Sequence, residues 1–229
     1  MEKAIEAETK LRNFFANYKY KRYKKGEIII RDSDEPEAIY YIVSGFVKNY
    51  SITPDGKELT LNIYKPGSYF PIYLALGRMP NYYYFQAMSD VVVFKAPLKD
   101  VELLLAEDHE ILYELTKRLS IGLNGLLIRM QYLLLNDAYN KVVSTFVFLA
   151  KRFGENGKNG EVLIKLPITH YEISNLACLT RETTSVEIKK LQKMGLINKR
   201  GDLYVINNIK ELTEESWLYY EEKPLPYNF

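Results

Sequence analysis

The chain has 229 residues, 47% of them hydrophobic and 26% charged, an ordinary balance for one large or two modest globular domains. A net charge of +2 is too close to neutral to announce a nucleic-acid partner, and a single cysteine excludes an internal disulfide framework and fits a reducing cytoplasm. No apolar run reaches the roughly eighteen residues that a spanning helix needs, and the acidic start MEKAIEAETK lacks a signal peptide's apolar core, so no membrane is expected as a partner. Residues 1–107 are expected to form a β-rich unit with an N-terminal helix. Within it, Glu27–Arg31, Ala38–Val43, Phe46–Ile52, Glu58–Tyr64 and a run inside Asn81–Ala96 read as strands. Turns separate them at Asp32–Pro36, Ser44-Gly45, Thr53-Pro54-Asp55-Gly56 and Pro66-Gly67, where proline presets φ and glycine tolerates positive φ. Short strands so punctuated indicate a β-sandwich or barrel-like roll.

The texture changes at Pro97. From Leu98 to about Leu135 there is no proline, and Leu112, Leu115, Leu119, Leu123, Leu126, Met130 and Leu133 recur at three- and four-residue steps. This spacing is that of a coiled-coil seam and predicts a dimerisation helix over 108–135, with a homodimer as its product. Gly122 beside the seam either lets two helices approach or is a tolerated blemish. Asn136-Asp137 is expected to end this helix and cap the next, whose apolar face includes Val142, Val143, Phe146, Phe148 and Leu149 and which stops at Arg152-Phe153-Gly154. Glu155–Gly160 then reads as a flexible connection, and Val162–Leu166 as a short strand.

Residues 136–210 form the candidate DNA-binding domain. Thr169 and Glu172 make a T-x-x-E capping box for a helix through about Ala177. Cys178-Leu179-Thr180 is a tight turn, with Cys178 expected as a small buried hydrophobe. Thr180 caps a second helix from Arg181 to about Met194 that is expected to bury Val186, Ile188 and Leu191 and to end at Gly195. Ile197–Asp202 and Leu203–Ile206 make a hairpin with a charged tip. Two helices at a tight turn present the second one's N-terminus to a major groove, where Arg181 suits guanine and Glu182 suits cytosine. Thr169, Thr180, Thr183, Ser185, Lys189, Lys190, Lys199 and Arg200 suit phosphate contact. The stretch 166–210 holds seven Lys/Arg and four Asp/Glu, a local net of +3.

The segment TRETTSVEIKKLQKMGLI with its basic hairpin resembles the DNA-binding domain of the CRP/FNR (cyclic AMP receptor-like) family of transcriptional regulators. Upstream, KKGEIIIRDSDEPEAIYYIVSGFVKNYSITPDGKELTLNIYKPGSYF is similar to that family's β-roll, and DAYNKVVSTFVFLAKRFG to the helix before its recognition domain. The resemblance runs from about residue 20 to 207. It implies an α+β chain with a cyclic-nucleotide-binding-like jelly roll, a long dimerisation helix and a C-terminal winged helix-turn-helix. It also implies a homodimer on pseudo-palindromic double-stranded DNA, with RNA polymerase as a possible further partner. Arg181 and Glu182 match the family's base-reading pair. The third base-reading arginine of many members falls at Val186, which is left to touch a thymine methyl.

The effector site departs from the family pattern. Gly67-Ser68-Tyr69-Phe70-Pro71-Ile72-Tyr73 has Pro71 and Ile72 where cyclic-nucleotide binders carry glycine and glutamate, and Asn81 and Tyr82 fall where arginine and serine are expected. Proline lacks an amide donor and isoleucine cannot accept from a ribose hydroxyl, so cyclic AMP is not expected as a ligand. Arg78 lies near enough to substitute by a loop shift. Tyr69, Phe70, Ile72, Tyr73, Arg78, Asn81, Tyr82 and Tyr84 either line a pocket for an unknown small-molecule effector or, for the aromatics, pack the roll's own core. One cysteine cannot hold an iron–sulfur cluster, and His109 and His170 read as surface or capping residues, so no metal or cofactor is expected. No H-E-x-x-H, G-x-S-x-G or P-loop motif occurs, which argues against an enzyme. The alternative function is a small-molecule-binding or protein-docking module whose winged helix contacts protein. The tail 211–229, with five glutamates and one lysine, is expected to be helical to about Glu222 and then extended and packed locally, with docking on the DNA face, the sensor or polymerase as the alternatives.

Overall fold

A computed structural model describes residues 2–135, 137–157 and 160–215, and the expected helix end and extended tail over 216–229 lie outside them. The described chain divides into one compact unit ending at Asn124 and a second beginning at Gly125.

The first unit opens with helix α1 (Glu2–Ala16). Eight strands follow: β1 (Tyr20–Tyr23), β2 (Ile28–Ile30), β3 (Ala38–Ser44), β4 (Val47–Ile52), β5 (Glu58–Tyr64), β6 (Tyr69–Phe70), β7 (Tyr84–Ala87) and β8 (Val91–Pro97), with the short helix α2 (Ile72–Leu76) between β6 and β7. They form two antiparallel sheets, ordered β1-β8-β3-β6 and β2-β7-β4-β5. The Thr53–Lys57 turn closes where it is expected, with the Thr53 amide donating to Lys57 O and Gly56 at a φ of 80°. Gly45 is demanded by space as well as by its φ of 86°, because a Cβ there would run into the Asp90 carbonyl.

Two apolar clusters fill the roll. Ile30, Tyr40, Ile42, Val47, Phe70, Phe85, Ala87 and Val93 pack between the sheets. Phe15, Ile39, Tyr41, Tyr69, Ile72, Val101, Leu105, Ile111 and Leu115 pack around α1 and the helices after the roll.

The leucine-rich stretch is not one helix. It divides into α3 (Leu98–Glu107) and α4 (His109–Leu135) at Asp108, whose carboxylate accepts from the amides of Glu110 and Ile111 at 3.0 Å and so caps α4.

In the second unit, α5 (Ala138–Phe153) starts at the predicted cap, Asp137, which accepts from the Asn140 amide at 2.9 Å. Val142, Val143, Phe146 and Leu149 are buried on it, whereas Phe148 is only half-buried. The connection read as flexible begins as a strand: β9 (Gly154–Asn156) pairs with β10 (Val162–Ile164), their ladder outweighing the glycines' freedom. Then come α6 (His170–Ala177), α7 (Arg181–Lys193), β11 (Ile197–Arg200), β12 (Leu203–Ile206) and α8 (Ile209–Glu215), and the strands order as β11-β12-β10-β9. Both parts of the α+β expectation are met: an antiparallel roll and a winged helix-turn-helix. No helix among the described residues is long and apolar enough to cross a membrane.

Candidate DNA-binding face and effector site

The capping box forms as read. Thr169 Oγ1 accepts from the Glu172 amide at 3.2 Å, and the Glu172 carboxylate accepts from the Thr169 amide at 2.6 Å. Helix α6 ends at Cys178, which adopts the left-handed φ of 54° that a sharp turn requires. That position turns the residue outward. Cys178 is exposed, not the buried hydrophobe the sequence suggested. Thr180 then caps α7 by accepting from the Thr183 amide at 3.1 Å.

Helix α7 has two distinct faces. Thr184, Glu187, Ile188 and Leu191 point inward at i, i+3, i+4 and i+7. Arg181, Glu182, Ser185, Val186 and Lys189 share the other face. Val186, expected in the core, is 52% exposed, because the helical step that buries Ile188 carries Val186 round to solvent. Arg181 and Glu182 are exposed and have no hydrogen bond or ion pair among the described residues. The opening turn of α7 therefore presents a fork of donors, a carboxylate and a branched apolar side chain, side by side and uncommitted.

The candidate phosphate contacts differ in how free they are. Thr169 and Thr180 hold helix caps, and Thr183 accepts from the Thr180 hydroxyl at 2.9 Å. Lys190 pairs with Glu187 at 2.8 Å and Arg200 with Glu161 at 2.9 Å. The Arg200–Glu161 pair is largely exposed and contributes about 0–1 kcal/mol, so a phosphate can displace it, whereas the Glu187 carboxylate facing Lys190 is buried. Lys199 lies over the Tyr204 ring at 5.1 Å, and Lys189 is exposed. Ser185 is engaged by His170, whose Nδ1 lies 2.8 Å from its Oγ.

Sequence reasoning missed that pair, and it missed Arg129. The Arg129 guanidinium, projecting from the second half of α4, donates to Leu176 O at 2.7 Å and lies 5.7 Å from the Phe148 ring centroid. Burial pulls its pKa down to about 10, which leaves it charged at neutral pH. A cation on the last carbonyls of α6 also complements that helix's dipole. It ties α4 to the helix that supports the recognition turn. Only its charge within a leucine-rich helix hints at this in the sequence.

The proposed seam is only partly a seam. Leu112, Leu119, Leu123, Leu126 and Met130 are 38–59% exposed on α4. Leu115 is 2% exposed and packs in the first unit's own core, so it leaves the set; the step from Leu112 to Leu119 passes through exposed Thr116 instead. Leu133 is half-buried, and Leu134 is 72% exposed. An added Cβ at Gly122 would meet nothing within 4 Å.

The candidate effector residues are not brought together. Phe70 stacks on Phe85 at 5.2 Å and on Tyr40 at 5.3 Å, and Tyr64 tilts against it at 5.5 Å, so these rings fill the space between the sheets. Tyr69 and Ile72 turn toward α1 and line a void of about 10 Å³, room for at most one water. Tyr84 lies on the face opposite Phe85 and stacks on Tyr50 at 5.2 Å. Tyr82 is 70% exposed. Arg78, at a φ of 48°, pairs loosely with Glu102 of α3 at 3.6 Å, away from the roll's interior.

Asn81, which stands where the family's arginine is expected, is buried and fully committed to backbone. It donates to Arg31 O at 2.6 Å and Tyr83 O at 3.0 Å, and accepts from the Tyr83 amide at 3.0 Å. Tyr73, from α2, approaches the rings around Phe70 while remaining partly exposed. Burial raises its phenol well above the usual range, next to Tyr64 and Tyr83 and within hydrogen-bonding reach of Asn49. Alternation separates Tyr69 from Phe70 on β6, and the remaining candidates are spread over α2, the segment between α2 and β7, and β7 itself.

Comparison with known proteins agrees with this layout. A cyclic nucleotide-binding domain model matches residues 20–108, and a Crp-like helix-turn-helix domain model matches residues 140–215. The chain is 26% identical over 199 residues to an anaerobic regulatory protein of Aggregatibacter actinomycetemcomitans, covering 86% of this chain and 76% of that one. It is likewise 26% identical to regulatory protein HlyX of Actinobacillus pleuropneumoniae, covering 84% of this chain and 80% of that one. The structure of FixK2 from Bradyrhizobium japonicum superposes with a TM-score of 0.77 at 21% identity, over 89% of this chain and 99% of that one. A β-roll followed by a winged helix-turn-helix with an open recognition turn defines a DNA-binding transcriptional regulator. The chain belongs to the CRP/FNR family of these regulators.

Proposed function

We propose that the chain works in the cytoplasm as a homodimer on a pseudo-palindromic duplex, its two α7 helices reading half-sites one helical turn apart. Arg181 pairs with guanine, Glu182 with cytosine, and Val186 meets a thymine methyl. Lys189, Lys190, Lys199 and Arg200 set the register on phosphates. The observation that carries this is the uncommitted first turn of α7 on a rigidly capped helix. Selection of bound duplexes from randomised DNA is expected to yield a two-fold symmetric site. Raising salt is expected to weaken binding steeply, since released counterions drive phosphate contact. Recovery of no preferred sequence would overturn the assignment.

Its effector, where it has one, is not cyclic AMP. The ring-filled roll and the committed Asn81 support this, and any small molecule bound there must displace or reorder aromatic side chains. Contact with RNA polymerase is a further expectation. Addition of 1 mM cyclic AMP is expected to leave the melting temperature unchanged. A ligand present at a hundred times its Kd would add about 2.7 kcal/mol, a shift hard to miss.

A further inference from the structure

His170 stands at the junction of three elements of the winged helix. It is the first residue of α6, its Nδ1 lies 2.8 Å from Ser185 Oγ on the outward face of α7, and Lys199 of β11 acts on it from the wing. The charged groups that act on the ring are Lys199, Arg181 and Lys189, all cations. The carboxylate on its own helix, Glu172, is held by Thr169. The ring is half-buried beside the open recognition turn, in a cluster of like charges that an anion would relieve.

We propose that His170 is a ligand for a DNA backbone phosphate and enters the complex as the imidazolium, so that operator binding takes up a proton at each subunit. This rests on the winged helix binding DNA as proposed above. Protonation leaves Nδ1–H donating to Ser185 Oγ. The serine's own hydroxyl proton is then released from the ring and can turn to the same phosphate, while Nε2–H supplies a second, charge-assisted donor.

In the free protein, burial and then the three cations hold His170 below the usual histidine pKa of 6.5. The unfolded chain therefore takes up the proton first, and acidification through the ordinary histidine range weakens the unbound fold. Bound phosphate reverses the balance by offsetting Lys199, Arg181 and Lys189 and by accepting from the ring. Acidification strengthens the complex.

The chain has only two histidines, His109 and His170, so the full-length protein can be followed cleanly by proton NMR, with His109→Gln giving the assignment. The ligands are a duplex selected by the protein and an unrelated duplex of equal length. The His170 midpoint is expected to rise by a pH unit or more on adding the selected duplex. Affinity at constant salt is expected to rise by up to about tenfold per subunit for each unit of acidification in that window. His170→Gln should remove this dependence while keeping the sequence preference, and His170→Arg should bind tightly without it. A midpoint that does not move, or a pH dependence that survives in His170→Gln, overturns the proposal while leaving the regulator assignment intact. Absence of binding to either duplex at every pH would overturn both.

Discussion

Replacing both Leu119 and Leu126 with glutamate is expected to leave the chain monomeric and to abolish tight binding to a two-fold symmetric site. Each leucine is exposed in the single chain, at 38% and 51%, so the monomer loses little by the exchange. In the dimer each is expected to be covered by a second copy of α4. Burying a fully exposed leucine is worth about 1.5–3 kcal/mol, and these are already about half covered, so the four in the dimer account for roughly 3–5 kcal/mol. At about 1.4 kcal/mol per tenfold, the dimer dissociation constant should rise by about two to four decades, before like-charge repulsion is added. Sedimentation equilibrium reads the mass, and fluorescence anisotropy with the selected duplex reads the loss of affinity. Leu115→Ala is the control. Its side chain lies in the first unit's core, so the change should cost about 2–5 kcal/mol of stability without altering the subunit number. A wild-type dimer constant in the double glutamate variant would remove α4 as the dimer helix.

That control exists because the sequence and the structure disagree at one step of the heptad. Period counting on α4 finds leucines at every third or fourth position, but it cannot tell which flank of the stripe meets a partner and which meets the chain's own helices. Leu115 and Ile111 face α1 and α3, and Leu119 one turn later does not; only the three-dimensional neighbours decide. The winged helix was legible almost to the residue because its signals are local. Thr169, Asp137, Thr180 and Gly195 act on atoms within four residues of themselves, and each does what its chemistry dictates.

The effector site was legible only in part. Pro71, Ile72 and Asn81 argue against a cyclic phosphate, and both amide hydrogens of Asn81 are spent on the backbone carbonyls of Arg31 and Tyr83. Of the two readings open for the aromatics, packing in the roll's own core describes Phe70, between the sheets, and Tyr69, turned toward α1, because alternation along β6 sends the two to opposite faces; Tyr82 lies outside the strands and is exposed. Long-range polar contacts between helices stayed hidden because their partners are far apart in the chain. Arg129 and Leu176 O are separated by 47 residues, and His170 and Ser185 by 15.

Arg181→Ala is expected to separate base reading from phosphate contact. The side chain is exposed at the N-terminus of α7 and has no hydrogen-bond or ion-pair partner among the described residues, so alanine should fold normally. In the complex, each subunit loses a bidentate contact to guanine O6 and N7, worth about 1–3 kcal/mol. Two half-sites together lose roughly 2–6 kcal/mol, a thirtyfold to ten-thousandfold drop in affinity for the selected duplex. Binding to an unrelated duplex should hardly change, and reselection should show the guanine position relaxed. A phosphate role predicts the reverse pattern: equal losses on both duplexes and a salt slope shallower by about one per subunit. Val186→Arg tests the same face by addition. Val186 is 52% exposed on that face, and an arginine there restores a donor fork where the family often has one. Reselection with this variant should gain a guanine at a position the wild type leaves to thymine. If reselected sites are unchanged by both substitutions, the outward face of α7 does not read base pairs.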